Sequence, residues 1–328
     1  MQIIGLDVGY GYTKAVSTHE TAVILSMLGP AIDLTYHSDL SANGHGITLE
    51  LNDGQRLFVG ERARMQSPNP RAPLARQRDA GFVRLMALAA MHEVGLAAGE
   101  VHLVTGLPVQ WYVDHETLEQ ALVGRHTFAV NGAPRDIEVV SCKVVPQPFG
   151  TFYRAMIDAR GVLTDPLHLK TGDVAVVDVG TLTSDFAWSE ALAYRETRSG
   201  SIPVATAEIL RGVQRILRDD PYRLDLELAE VERDVRQGYT VITGNRVRLA
   251  DLTARAAAPV ADKILDAARD LWGDARRLSA LLVTGGGGAL LFDRLHAVYP
   301  HARLVDSPQT ANAEGFHRLG LLQMRSGG

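Results

Sequence analysis

Ile3-Ile4-Gly5-Leu6-Asp7-Val8-Gly9 is an apolar run that delivers a carboxylate to a glycine turn, after which Tyr12 to Ser17 reads as a second strand. The pattern returns as Val174-Ala175-Val176-Val177-Asp178-Val179-Gly180, followed by a turn and the strand-like Ser184 to Trp188. A second pair accompanies the first, Leu103-Val104-Thr105-Gly106 and Leu282-Val283-Thr284-Gly285, in the same order and at a similar offset. Two matched pairs describe two lobes of one design, a duplication of domain size rather than a solenoid repeat. The β-branched, apolar strands suit a mixed sheet buried on both faces. The length agrees: 328 residues exceed one ordinary core and fit two.

Composition narrows the function. Hydrophobic residues make up 46% and charged residues 22%, which excludes a disordered chain. With 33 basic against 38 acidic residues the net charge is −5, which argues against direct nucleic-acid binding by the whole surface. Cys142 is the only cysteine, so intrachain disulfides and cysteine-based metal sites are excluded, as fits a reducing cytoplasm. No stretch reaches the ~18 apolar residues of a membrane span. Met1 to Gly5 lacks the basic region and long apolar core of a signal peptide. The expectation is a cytoplasmic protein with no membrane partner.

Between the repeats, helices are expected over Asp79 to Ala98 with Gly99 as the stop, Pro203 to Arg218 with Pro203 in the first turn, and Leu224 to Arg236. A further helix over Ala250 to Trp272 is expected to break at Pro259. Met27 to Pro73 reads as an insertion rich in Gly, Asn and Pro, with short strands at Gly46 to Leu51 and Arg56 to Val59. Pro68 to Pro73 reads as an exposed extended loop.

Three glycine-rich turns are candidates for chemistry. In Asp7-Val8-Gly9-Tyr10-Gly11-Tyr12-Thr13-Lys14 the turn can bring backbone N–H groups to a phosphate, and Lys14 adds a point charge. Taken alone it reads equally as a plain β-hairpin with Gly9 and Gly11 supplying positive φ. It is neither a Walker A loop nor a dinucleotide fingerprint, since Lys14 stands where the third glycine belongs. Asp178-Val179-Gly180-Thr181-Leu182-Thr183-Ser184-Asp185 is the partner loop. Two such aspartates facing across a cleft suit Mg²⁺ held through its waters. Gly285-Gly286-Gly287-Gly288 joins the strand Ala280 to Thr284 to a helix opening at Ala289, a phosphate- or nucleotide-approach geometry. The histidines add nothing of this kind: His92-Glu93 lacks the second histidine of a zinc helix.

As a set, these turns resemble the actin, sugar-kinase and heat-shock-ATPase superfamily. Val104 to Val109, Val144 to Gly150 and Asn312 to Phe316 narrow the resemblance to the ParM/StbA-type bacterial or archaeal actin-like ATPases, over essentially the whole chain. The resemblance implies an α/β, two-lobed actin-like fold, each lobe a mixed sheet flanked by helices, with the nucleotide between lobes. Lobe I is expected over 1–148 plus about 310–328, with 27–73 an insertion subdomain, and lobe II over 149–309. It implies ATP and Mg²⁺ as cofactors, with Asp7 and Asp178 on the metal through water. Gly9, Tyr10, Gly11, Tyr12, Thr13 and Lys14 form the first phosphate loop, and Gly180, Thr181, Leu182 and Thr183 the second. Gly285, Gly286 and Gly287 pack on the adenosine, and Glu208 and Arg211 contact ribose and base. Gln147 orients the attacking water. The implied function is ATP hydrolysis coupled to self-assembly into filaments, segregating plasmid DNA through a DNA-bound adaptor. The alternative is a small-molecule kinase of the same fold, for which Asp185 is the candidate base.

Overall fold

The structure, a computed structural model, describes residues 1–35, 46–72, 80–164 and 169–326. In chain order the elements are β1 (Gln2–Val8), β2 (Tyr12–Val16), β3 (Thr21–Leu25), β4 (Leu28–Pro30), β5 (Thr48–Leu51), β6 (Arg56–Val59), α1 (Glu61–Gln66), α2 (Ala80–Glu93), β7 (Ala98–Leu107), α3 (His115–Leu122), β8 (Gly124–Val130), β9 (Ala133–Pro146) and α4 (Phe149–Met156). They continue as β10 (Asp173–Val179), β11 (Ser184–Glu190), β12 (Ala193–Tyr194), β13 (Gly200–Ile202), α5 (Thr206–Arg218), α6 (Leu228–Gln237), β14 (Tyr239–Ile242), β15 (Asn245–Arg248), α7 (Ala250–Trp272), β16 (Leu278–Thr284), α8 (Gly288–Val298), β17 (Ala302–Leu304) and α9 (Ala311–Ser326). They divide into two compact units, Met1–Pro166 with Thr310–Gly328, and Leu167–Gln309. The first division thus falls later than the Pro148/Phe149 boundary expected from sequence, and α4 belongs to the first unit.

In the first unit, the described strands form one sheet in the order β3-β2-β1-β7-β9-β8-β5-β6-β4. β1 runs antiparallel to β2 and parallel to β7. Ile4, Leu6 and Val8 share one core with Val101, Leu103, Met86 and Leu88, the last two from α2. On the other face α9 lies so close to β1 that a Cβ at Gly5 would overlap the Ala313 carbonyl and the His317 backbone. A glycine is required there by approach, not by φ.

The segment after Met27 is not a detached insertion. β4, β5 and β6 extend the main sheet through β8, with Leu49 opposite Val130. Leu49, Leu57 and Val59 join Phe128 and Val130 in the common core, which explains why short strands persist there. Residues 68–72 are exposed as expected, although Leu28 and Arg71 exchange two backbone hydrogen bonds; Pro73 and Asp79 lie outside the described residues.

The second unit repeats the first. β10 is antiparallel to β11 and parallel to β16, within the order β12-β11-β10-β16-β17. Four expectations about helices are corrected. α2 ends before Gly95, whose φ of 82° stops it, while Gly99 sits inside β7. α5 starts at Thr206, beyond Pro203, because the Thr206 and Ala207 N–H groups donate to the carbonyls of Gly180 and Thr181. α6 starts at Leu228 rather than Leu224, where Glu227 and Glu230 make a reciprocal capping box. Nor does Pro259 break α7. Ala256, Ala257, Val260, Ala261 and Ile264 are buried on both sides of it, and this packing outweighs the ~3 kcal/mol that an interior proline costs.

His317 on α9 yields a test of the α9 face. It is 7% exposed, and its Nε2 has no hydrogen-bond partner. Burial, with Arg318 beside it, lowers its pKa from 6.5 to about 4. The neutral form is the folded form, so this contribution to stability is complete above the unfolded pKa and is lost as pH falls from about 6.5 towards 4. Thermal melts at pH 7 and pH 4.5 should show a larger acid loss in the wild type than in His317→Leu. Equal losses would place the acid sensitivity elsewhere.

Candidate functional site

Each unit carries one hairpin of the same construction. In the first, the Gly9 N–H donates to the Tyr12 carbonyl; in the second, the Gly180 N–H donates to the Thr183 carbonyl, at 3.0 Å in both. Neither Gly9 nor Gly11 has positive φ, contrary to expectation. Gly9 is needed for space, since a Cβ there would lie 2.7 Å from the Tyr12 oxygen and 3.2 Å from Lys14 Nζ.

The register then decides which side chains meet. Asp7 stands opposite Lys14 across β1 and β2, and Lys14 Nζ donates to Asp7 Oδ2 at 2.9 Å. Gln147, in the turn between β9 and α4, donates its amide N–H to Asp7 Oδ1 at 2.5 Å. Asp7 and Lys14, read from sequence as one turn, and Gln147, read apart from it, thus form one cluster around a carboxylate only 2% exposed. Lys14 is therefore tied to Asp7 and is not an isolated charge. Gln147 is nearly buried and held by its own backbone, its N–H on the Leu107 carbonyl and its carbonyl on the Gly150 N–H. Tyr10 is buried, Gly11 and Tyr12 are half-buried, and the Thr13 hydroxyl is paired with Ser26 at 2.9 Å.

In the second unit the equivalent register sets Asp178 opposite Asp185. Opposed like charges destabilise a strand pair, and here Asp185 is satisfied by hydroxyls, accepting from Thr183 at 3.1 Å and from Ser201. Gly285, with φ of 84°, presses on the end of β10, where a Cβ would overlap Asp178 Oδ1 and the Val179 carbonyl. Its N–H and the Thr284 hydroxyl both donate to the Pro308 carbonyl. The Gly287 N–H donates to the Val179 carbonyl, and Gly286 is exposed with nothing near its Cβ position. The Thr206 hydroxyl donates to the Gly180 carbonyl at 2.7 Å. Asp178, the loop Gly180 to Thr183 with Thr181 and Leu182 half-buried, the glycine turn and the start of α5 therefore converge. Farther along α5, Glu208 accepts from Lys263 of α7 at 2.8 Å, and Arg211 is exposed. Sequence reasoning missed Ser201 and Lys263. The available signal for Lys263 was its rarity, as one of four lysines in an arginine-rich chain.

Among the described residues no group of three or more His, Cys, Asp or Glu could hold a metal ion. Magnesium is compatible with that, because it keeps most of its waters and needs only one or two carboxylates. Asp7 uses one acceptor position on each oxygen for Lys14 and Gln147, and a carboxylate offers about four, so it can still accept from metal-bound water. Cys142 is inert by contrast: burial, then Glu119, pushes its thiol up to about 12.

Comparison with known proteins accords with this geometry. Residues 5–150 match the family described as actin like proteins N terminal domain. Residues 176–297 match the C-terminal domain of the archaeal actin homologue family, MreB-like. No curated protein matches the chain significantly. Among solved structures, an archaeal actin homologue is similar at a TM-score of 0.82 and 19% identity, over 97% of this chain and 98% of that one. A 15-stranded ParM filament from Clostridium botulinum is similar at 0.77 and 18%, over 97% and 98%. Bacillus thuringiensis ParM with AMPPNP is similar at 0.75 and 14%, over 99% of each chain. At these identities the likeness shows the fold. With both halves matched to actin-like family models, and nearly the whole chain to the fold of solved actin-like proteins, the chain is actin-like.

Proposed function

We propose that the chain binds ATP with Mg²⁺, hydrolyses it and polymerises with itself into nucleotide-dependent filaments in the cytoplasm. The observation that supports this reading is the hydrogen bond between Gln147 and Asp7, the residues to which the proposal gives the attacking water and the metal. The loops Gly9 to Lys14 and Gly180 to Thr183 meet the phosphates through the turn backbone beyond the Gly9 and Gly180 N–H groups, which close the hairpins, and the Lys14 ammonium adds charge. Glu208 and Arg211 meet the sugar and base, and the turn at Gly285, Gly286 and Gly287 packs against the base. Mg²⁺, held through water by Asp7 and Asp178, would neutralise phosphate charge. Self-association is supported by the filament form of the Clostridium botulinum relative, and nucleotide binding by the Bacillus thuringiensis relative with AMPPNP. Plasmid segregation through a DNA-bound adaptor completes the proposal, since a net charge of −5 suits an indirect contact with DNA. The kinase alternative is weaker, because Asp185, its candidate base, is buried and already accepts from two hydroxyls.

Sedimentation, light scattering and electron microscopy with ATP and Mg²⁺ test the proposal. Polymer should appear above a critical protein concentration, and phosphate release should rise with it. A monodisperse monomer with every nucleotide, and hydrolysis that depends on an added sugar, would favour the kinase.

The water-orienting role has its own test. Aligning a nucleophile acts mainly on the transition state, so Gln147→Ala should keep near-normal ATP affinity while turnover drops about 10–100-fold. Filaments should last longer in step with slower hydrolysis. A collapse of affinity in fluorescent-ATP titration would make Gln147 a binding residue instead.

A further inference from the structure

We propose that Asn312 is a positioning residue for Gln147, an inference that rests on the hydrolytic reading above. α4 begins two residues after Gln147, and its N-cap is Pro148, which makes no side-chain cap. The first N–H groups of a helix need partners from outside the helix. At Thr151 that partner comes from far away in sequence. Asn312 Oδ1, on the first turn of α9, accepts from the Thr151 N–H at 3.0 Å and from the Thr151 hydroxyl at 2.8 Å. Asn312 is 4% exposed, so this is a buried cap supplied by another helix, with the chemistry asparagine normally provides at an N-cap.

The backbone around Gln147 leaves little room to adjust. A Cβ at Gly150 would lie 2.6 Å from Asn312 Cα, and one at Gly315 would overlap the Gly150 carbonyl. From the β7 side, a Cβ at Gly106 would lie 2.9 Å from Gln147 Cα. The Gly150 N–H closes the turn on the Gln147 carbonyl. Asn312 therefore holds the end of α4, the end of α4 holds the 147–150 turn, and the turn sets where the Gln147 amide points. Asn312 thus acts on Gln147 through Thr151 and the start of α4.

The test compares full-length Asn312→Ala, Asn312→Asp, Gln147→Ala and the Asn312→Ala/Gln147→Ala double variant. Misplacement of a group remote from the chemistry can lower turnover by up to about 100-fold. Asn312→Ala should lower kcat about 10-fold with KM for ATP changed less than about twofold. Asn312→Asp keeps the acceptor oxygen and should stay within about threefold of wild type. The double variant should be no slower than Gln147→Ala, since both act on the same group. Independently of nucleotide, hydrogen exchange at the Thr151 amide should speed up in Asn312→Ala and not in Asn312→Asp. Should Asn312→Ala fail to fold, Asn312→Ser, which withdraws the oxygen from Thr151, serves in its place. Losses in Asn312→Ala and Gln147→Ala that multiply, or equal damage in Asn312→Asp, would overturn the inference. Slowed Gln147→Ala beside normal Asn312→Ala removes this inference alone, whereas unchanged Gln147→Ala removes the hydrolytic reading and this inference with it.

Discussion

Asp178→Asn should leave the protein folded and lower turnover of ATP in Mg²⁺ by about 100-fold or more. The substitution keeps the size of the side chain and one acceptor oxygen, so packing at the end of β10 is preserved. It removes a negative charge that stands directly opposite Asp185, and like charges at such positions oppose strand pairing, so repulsion falls. What is lost is electrostatic: a neutral amide attracts metal-bound water far less than a carboxylate does. Single charge-stabilising groups in catalytic sites are commonly worth about 10²–10³ in rate. Circular dichroism and phosphate release on one preparation check both halves. Wild-type turnover in a folded Asp178→Asn protein would remove Asp178 from the proposed site.

Gly315→Ala is expected to have the largest effect on stability, with a sign opposite to the usual rule. Inside a helix, alanine is normally favoured over glycine by about 1 kcal/mol. Gly315 lies within α9, but the new Cβ would overlap the carbonyl oxygen of Gly150 and lie 3.0 Å from the Arg154 N. Those are backbone atoms, which cannot rotate aside as a flexible side chain could. Overpacking of this kind costs about 1–3 kcal/mol and sometimes more, which exceeds the propensity gain. A net loss of about 2 kcal/mol corresponds to a melting temperature lower by about 4–8 °C for a domain of this size. Calorimetry that showed a gain would mean that α4 and α9 can separate freely.

The two hairpins were legible from sequence because each is specified locally, by an apolar run, a carboxylate and a glycine where space is short. The duplication was legible for the same reason. What escaped depended on partners distant in the chain. That Lys14 pairs with Asp7 follows from a two-strand register, which no single motif displays. The start of α5 was misplaced because its first N–H groups answer to carbonyls of Gly180 and Thr181, not to its own proline. Pro259 misled because burial on both sides of it overrides its local preference. Met27 to Pro73 looked separate because its strands are short and the stretch around them is rich in Gly, Asn and Pro, whereas the pairing of β5 with β8 supplies what their length lacks. Gln147 was assigned through family resemblance alone. Its contact with Asp7 required β9 to run parallel to β7, and β7 to β1.

The chain also sets an order of assembly. β1 precedes the second unit in the chain, yet the helix that covers its Gly5 face, α9, follows it. The second unit is one contiguous stretch, Leu167–Gln309, and can close as soon as it has been translated. The first unit cannot. Its sheet waits with one face uncovered, and α4 waits without its cap, until residues from Thr310 onward emerge. At ribosomal rates of about 5–20 residues per second, that delay is on the order of 10–30 s. Of the two units, the one begun earlier is therefore the one finished later, and in that interval the Gly5 face of β1 lacks the helix that covers it.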